Sequence, residues 1–170
     1  RSAYAEWYVS DTLMERFDIV GWDPRGTGKS TPAVDCIDDY DRYFAIDSPP
    51  NDAAAKQEMV DLTQEFVDQC TERNGEMLKY ISTENSARDM DSIRRALGEE
   101  QITYFGFSYG SELGATWVTL FPETVRAAVF DGASDPNASS FDQAVSQLKG
   151  FEQQLDAFLA DCAKRPTCAI

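Results

Sequence analysis

Apolar positions along this chain follow two periods, one near 3.6 residues and one of short continuous runs, and their alternation sets out an order of elements. A helix is predicted over Ala5 to Glu15, followed by a short central strand, Arg16-Phe17-Asp18-Ile19-Val20-Gly21-Trp22-Asp23. Pro24-Arg25-Gly26-Thr27-Gly28-Lys29-Ser30 then reads as a loop. Cys36 to Asp52 is turn-rich and acidic, with Ser48-Pro49-Pro50-Asn51-Asp52 as its clearest breaker. From Ala53 to about Arg73, Met59, Leu62, Phe66 and Cys70 recur at helical spacing until Asn74-Gly75 stops them. Ser82 or Thr83 can cap the next helix, which carries Met90, Ile93 and Leu97 on one face and ends at Gly98. Ile102-Thr103-Tyr104-Phe105 is β-branched and aromatic, as a buried parallel strand requires. A helix from Ser111 to Leu120 follows, with Leu113, Trp117 and Leu120 at helical spacing and Pro122 beyond its end. Val125 to Phe130 reads as another buried strand, closed by Asp131-Gly132. A last amphipathic helix runs from about Ser139 to Ala163, with Phe141, Val145, Leu148, Leu155, Phe158 and Leu159 as its apolar set. Strands alternating with helices imply an α/β fold, a parallel sheet joined by right-handed crossovers. Three strands make an incomplete sheet for that class.

Composition narrows the picture. With 170 residues and 42% hydrophobic residues, the chain is large enough for one domain with a real core. A net charge of −15 repels phosphate backbones and anionic membranes, which argues against nucleic-acid partners. No run reaches the length of a membrane span, and Arg1-Ser2-Ala3-Tyr4 carries no apolar signal core. The four cysteines, Cys36, Cys70, Cys162 and Cys168, match no zinc spacing, and the chain has no histidine to complete a metal site, so no metal and no cofactor are expected. Two local disulfides, Cys36–Cys70 and Cys162–Cys168, are the economical arrangement, contributing roughly 3–4 and roughly 2 kcal/mol on a loop-entropy account. Four buried free thiols would be the alternative; disulfides point to a secreted or cell-envelope protein.

The candidate chemistry lies in Gly106-Phe107-Ser108-Tyr109-Gly110. This G-x-S-x-G, between a strand and a helix, has the pattern of a nucleophile elbow, in which a serine sits on a strained turn and glycines on either side relieve crowding. Ser108 is the candidate nucleophile, Gly106 and Gly110 are the elbow glycines, and the backbone N–H of Tyr109 is the candidate oxyanion donor. Tyr109 could also line a substrate pocket through its side chain, or simply pack at the sheet edge. A serine hydroxyl needs a base, commonly histidine, and the chain has none, so these residues alone are expected to be inactive. A second motif, Gly26-Thr27-Gly28-Lys29-Ser30, ends like a phosphate-binding loop, but Asp23 stands where that loop needs its first glycine and Pro24 has no N–H to offer. A carboxylate there would repel the phosphates, so no nucleotide is expected.

In order along the chain stand Asp23-Pro24-Arg25-Gly26-Thr27-Gly28-Lys29-Ser30, Asp89-Met90-Asp91-Ser92-Ile93-Arg94, Phe107-Ser108-Tyr109-Gly110-Ser111-Glu112-Leu113-Gly114, and Phe130-Asp131-Gly132. This combination resembles the α/β-hydrolase fold serine peptidases, in particular secreted tripeptidyl aminopeptidases and prolyl-aminopeptidase-like hydrolases of actinobacterial type. The resemblance runs from about Glu15 onward and implies the central part of such an enzyme. Residues 1–136 would be a partial hydrolase core with the fourth to sixth strands, and 137–170 the beginning of a helical lid. The oxyanion loop before the fourth strand, and the catalytic aspartate and histidine after the lid, would then lie outside this chain, in the remainder of the hydrolase fold.

By resemblance, the function is release of short peptides or residues from free N-termini through a Ser-Asp-His acyl-enzyme mechanism. An esterase on the same scaffold, acting on small esters, and a non-catalytic α/β-hydrolase-like binding module are the alternatives. Asp131 is admissible as the acid in the order Ser…Asp…His, although the resemblance places that acid one strand later and Asp131-Gly132 equally suits a turn. Asp23 and Arg25 are read as holding their loop by local hydrogen bonds.

Overall fold

The computed structural model describes residues 9–46, 49–133, 135 and 137–168. They form two compact units, 1–86 and 87–170. The expected helix over Ala5 to Glu15 lies partly outside the described residues, and within them it is the single turn α1, Asp11–Met14. Ser48 and the N-terminal Arg1-Ser2-Ala3-Tyr4 also lie outside them.

In the first unit, the central strand expected over Arg16 to Asp23 does not form: the segment makes no ladder pairing among the described residues. Its apolar residues are only partly covered: Ile19 and Trp22 are half-buried, and Val20 is 50% exposed. Hydrophobic patterning states what a segment can bury, whereas a strand exists only if a neighbour supplies its hydrogen bonds. The acidic stretch after it holds a short helix, α2 (Tyr40–Phe44), capped by the Asp39 carboxylate, which accepts the Arg42 N–H at 3.0 Å. The long helix α3 (Ala53–Asn74) starts where Asp52 accepts the Ala55 N–H at 2.8 Å and ends at Gly75. A 3₁₀ segment, Gly75–Tyr80, follows it.

The Cys36–Cys70 disulfide ties the stretch before α2 to α3, and Cys36 and Leu62 are buried in this unit's core. Asn74 reinforces that tie by donating to the carbonyls of Asp35 (2.9 Å) and Cys70 (2.8 Å). Arg73 reaches back to Asp38 at 2.9 Å; its hydrogen bond and positive charge hold that carboxyl below the usual range.

Helix α4 (Thr83–Leu97) begins at a capping Ser82, whose hydroxyl accepts the Asn85 N–H at 3.2 Å. Within α4, Asp91 is buried because Arg94 and Arg95 both engage its carboxylate, at 2.7 and 3.1 Å. Arg94 also donates to the Glu99 carbonyl at 2.5 Å, which turns the chain toward the next strand.

The sheet of the second unit has two parallel strands, β1 (Ile102–Phe107) and β2 (Val125–Asp131), joined through helix α5 (Tyr109–Leu120). The register pairs Tyr104 with Ala128, Gly106 with Phe130 and Phe107 with Asp131. Along β1, Tyr104 and Gly106 are buried while Phe105 and Phe107 are exposed, the alternation of a sheet covered on one face. β2 departs further from the buried strand expected: Val129 shares the open face with Phe105, and Arg126 to Asp131 are exposed on both faces. A parallel strand reads as fully buried only where layers cover both of its faces. The core here is Ala87, Met90, Tyr104, Leu113 and a fully buried Trp117.

The last helix, α6 (Ser140–Cys162), starts where Ser139 accepts the Asp142 N–H at 3.1 Å, and the Cys162–Cys168 disulfide follows its end. Its expected apolar set is in place, but Phe141, Leu148, Leu155, Phe158 and Leu159 are exposed. Among the described residues, no helix is long and apolar enough to cross a membrane.

Candidate active site

Ser108 stands at the junction of β1 and α5 with φ 54° and ψ −128°. It is the one non-glycine residue with positive φ among the described residues. Such a conformation costs an L-residue on the order of 1–3 kcal/mol and persists only where the surroundings impose it. They do so from both sides. The Ser108 N–H donates to the Asp131 carbonyl at 2.9 Å, which extends the β1–β2 pairing by one bond. The Ser108 carbonyl accepts two bonds from Ser111, one from its N–H at 2.8 Å and one from its hydroxyl at 2.7 Å. Ser111 is itself buried, so that clamp is held in the protein interior.

A serine before a helix ordinarily has extended backbone and caps a second- or third-residue N–H with its hydroxyl. Ser108 does neither: its side chain makes no capping bond, and the residue is exposed. Its hydroxyl is thereby turned away from the task that position usually imposes. Tyr109, also exposed, opens the helix, so the positive end of α5 lies beside the serine.

The glycines around the serine are required by proximity. A Cβ at Gly106 would come within 2.5 Å of the Gly110 carbonyl oxygen, and one at Gly114 within 2.6 Å of a Phe130 ring carbon. The helix lies that close to the strand only because these positions have no side chain. Asp131 is brought next to Ser108 through its backbone, and Gly132, with φ 64°, turns the chain away after it.

Sequence reasoning missed the Ser111 hydroxyl, the Asp131 carbonyl and Tyr104, which donates to the Gly110 carbonyl at 2.6 Å. Gly106, Gly110 and Gly114 recur every four residues, and that spacing was the signal for a large side chain laid against them. Among the described residues no group of acidic or cysteine side chains could hold a metal ion.

The second motif is organised by its own carboxylate. Asp23 accepts the Lys29 N–H at 2.7 Å, and its carbonyl accepts the Ser30 hydroxyl at 2.6 Å. Thr27 donates through its hydroxyl to the Pro24 carbonyl at 2.8 Å, and Arg25 reaches the Tyr80 carbonyl at 3.1 Å. Asp23 thus holds the loop locally, as expected, whereas the Arg25 bond departs from the local one expected and ties the loop to the 3₁₀ segment 55 residues away. A carboxylate takes an N–H that a phosphate cradle would turn toward its anion. Calorimetry with magnesium and ATP or GTP should therefore give no heat at micromolar protein; affinity lost in Lys29→Ala would contradict this.

With the strand–serine–helix geometry established, comparison with known proteins decides the family. A family model described as alpha/beta hydrolase fold matches residues 2–170. The chain belongs to the α/β-hydrolase fold family. It is 40% identical over 161 residues to "Serine protease Hip1" of Mycobacterium tuberculosis, covering 93% of this chain and 31% of that protein. To "Tripeptidyl aminopeptidase" of Streptomyces lividans it is 45% identical over 123 residues, 71% of this chain and 23% of that protein. To "Carboxylesterase B" of Mycobacterium tuberculosis it is 40% identical over 166 residues, 95% and 32% respectively. The chain thus spans about a third of the length of these relatives or less. Two of these α/β-hydrolase relatives are thus named as peptidases and one as an esterase.

Proposed function

We propose that this chain is the central part of a longer serine hydrolase that removes short peptides or residues from free N-termini through an acyl-enzyme. Ser108 is the nucleophile. The observation that carries the reading is its positive φ at a strand–helix junction, held by Asp131 and Ser111 while the hydroxyl is left out of helix capping. The Tyr109 N–H, at the positive end of α5, donates to the developing oxyanion. The acid and the histidine come from segments beyond the ones described, and Asp131 serves the site through its carbonyl more than through its carboxylate. Residues 1–136 then belong to the hydrolase core and 137–170 begin its lid, whose uncovered apolar face on α6 suits a cap over substrate. The pairs Cys36–Cys70 and Cys162–Cys168 support a secreted or envelope-bound location.

The similarity to a carboxylesterase keeps esters as a second substrate class, since one elbow serves esters and amides alike. Kinetics on the longer protein separate the two. A tripeptide anilide with a free amine should exceed its N-acetylated form by at least about tenfold in kcat/KM. Equal rates on both, with faster turnover of simple acyl esters, would favour the esterase.

A further inference from the structure

Tyr104 is enclosed by the elbow glycines on one side and by two aromatic rings on the other. It lies on β1, 8% exposed, with its ring 5.9 Å from that of Trp117 and 6.2 Å from that of Phe130. Its ring edge occupies the space that side chains at Gly106 and Gly114 would fill, one glycine on the strand and one on the helix. Its hydroxyl donates to the carbonyl of Gly110 at 2.6 Å. That carbonyl belongs to the first turn of α5, two residues after Ser108. The bond therefore ties strand to helix across the turn that carries the serine. Burial pushes the phenol up to about 12, with the neighbouring Tyr109 adding to it, so the hydroxyl is a neutral donor at any working pH.

We infer that Tyr104 is a positioning residue of the hydrolase site, fixing the height of the first turn of α5 over β1 and with it the direction of the Ser108 hydroxyl and the Tyr109 N–H. The inference rests on Ser108 being the nucleophile. Without the bond the ring still fills its cradle, but the helix start loses the tie that runs directly from β1, while those from Ser111 and to the Asp131 carbonyl stay. Misplacement of a nucleophile by a fraction of an ångström is felt in the chemical step while substrate binding is left alone.

The test uses the longer protein and three variants: Tyr104→Phe, Thr119→Val and Ser108→Ala. Thr119 donates to the Ala115 carbonyl at 2.8 Å, so its variant removes a hydroxyl–carbonyl bond from the same helix away from the elbow. Tyr104→Phe should slow both kcat and the acylation of Ser108 by a fluorophosphonate about tenfold, with KM within about twofold and pH midpoints unmoved. Thr119→Val should acylate within about twofold of the parent. A merely structural role would lower urea midpoints in both variants and leave the acylation rate of folded protein unchanged. An unchanged rate in Tyr104→Phe, an equal slowing in both, or a Tyr104→Phe protein that cannot fold would each overturn the inference. Ser108→Ala separates the two claims. If it still acylates, the nucleophile assignment fails; if acylation is lost while Tyr104→Phe matches the parent, only the role of Tyr104 falls.

Discussion

Replacing Ser108 by alanine in the longer protein should lower kcat by a factor on the order of 10⁵–10⁶ while leaving the protein folded. The change removes one exposed hydroxyl and keeps a side chain at φ 54°, so the strain stays and the core is untouched. Ser108→Gly should be equally inactive, but more stable. Glycine relieves a strained conformation worth about 1–3 kcal/mol and adds about 0.4–1 kcal/mol of unfolded-state entropy in the opposite direction, leaving a gain of about 1 kcal/mol. A stability gain paired with complete loss of activity is the mark of strain kept for function. The 170 residues by themselves should likewise show almost no turnover, because the chain has no histidine to take the serine proton. Hydrolysis assays and urea unfolding of the three proteins read all of this; appreciable turnover by either variant would contradict it.

Two glycines in helices should respond to alanine with opposite signs. A Cβ at Gly114 would meet Phe130 at 2.6 Å and Tyr104 closer still, both aromatic and one of them pinned by its bond to Gly110. Alanine gains about 1 kcal/mol over glycine in a helix interior, but overpacking against fixed rings costs about 1–3 kcal/mol and occasionally more. At Gly114 two fixed rings put the clash at the upper end of that range, so Gly114→Ala should lose up to about 2 kcal/mol net, with a matching loss of activity because α5 is levered off β1. At Gly150, inside α6, a Cβ would meet nothing within 4 Å, so the propensity term stands alone and Gly150→Ala should gain up to about 1 kcal/mol. Denaturant midpoints measure both, and equal responses would refute the close packing at Gly114.

Much of this arrangement is legible in the chain because it is local. The elbow follows from a β-branched and aromatic strand, Gly106-x-Ser108-x-Gly110 and a helix, all within about twenty consecutive residues. The starts of α3 and α4 at Asp52 and Ser82, and the stop at Gly75, come from capping chemistry that acts within a turn. Both disulfides close segments that fold back locally.

What escaped depends on distant partners. Phe17 to Asp23 has the composition of a strand but makes no ladder among the described residues, since composition carries no information about which neighbour supplies the hydrogen bonds. The open face of Phe105 and Val129 reads as buried for the same reason. The capped turn at Tyr40–Phe44 was hidden by the surrounding breakers and acidic residues. In the sequence Tyr104 reads only as strand filling, because its part in the site becomes visible once three glycines lie against one side chain.

The central claim is that the strained serine at the head of α5 is the group that attacks the substrate. Mass-spectrometric mapping of the longer protein after brief treatment with a fluorophosphonate tests it most directly. The account predicts a single phosphonylated residue, Ser108, appearing in step with loss of hydrolysis and absent from Ser108→Ala. Complete loss of hydrolysis with Ser108 unmodified, or with the adduct on another residue, would contradict it.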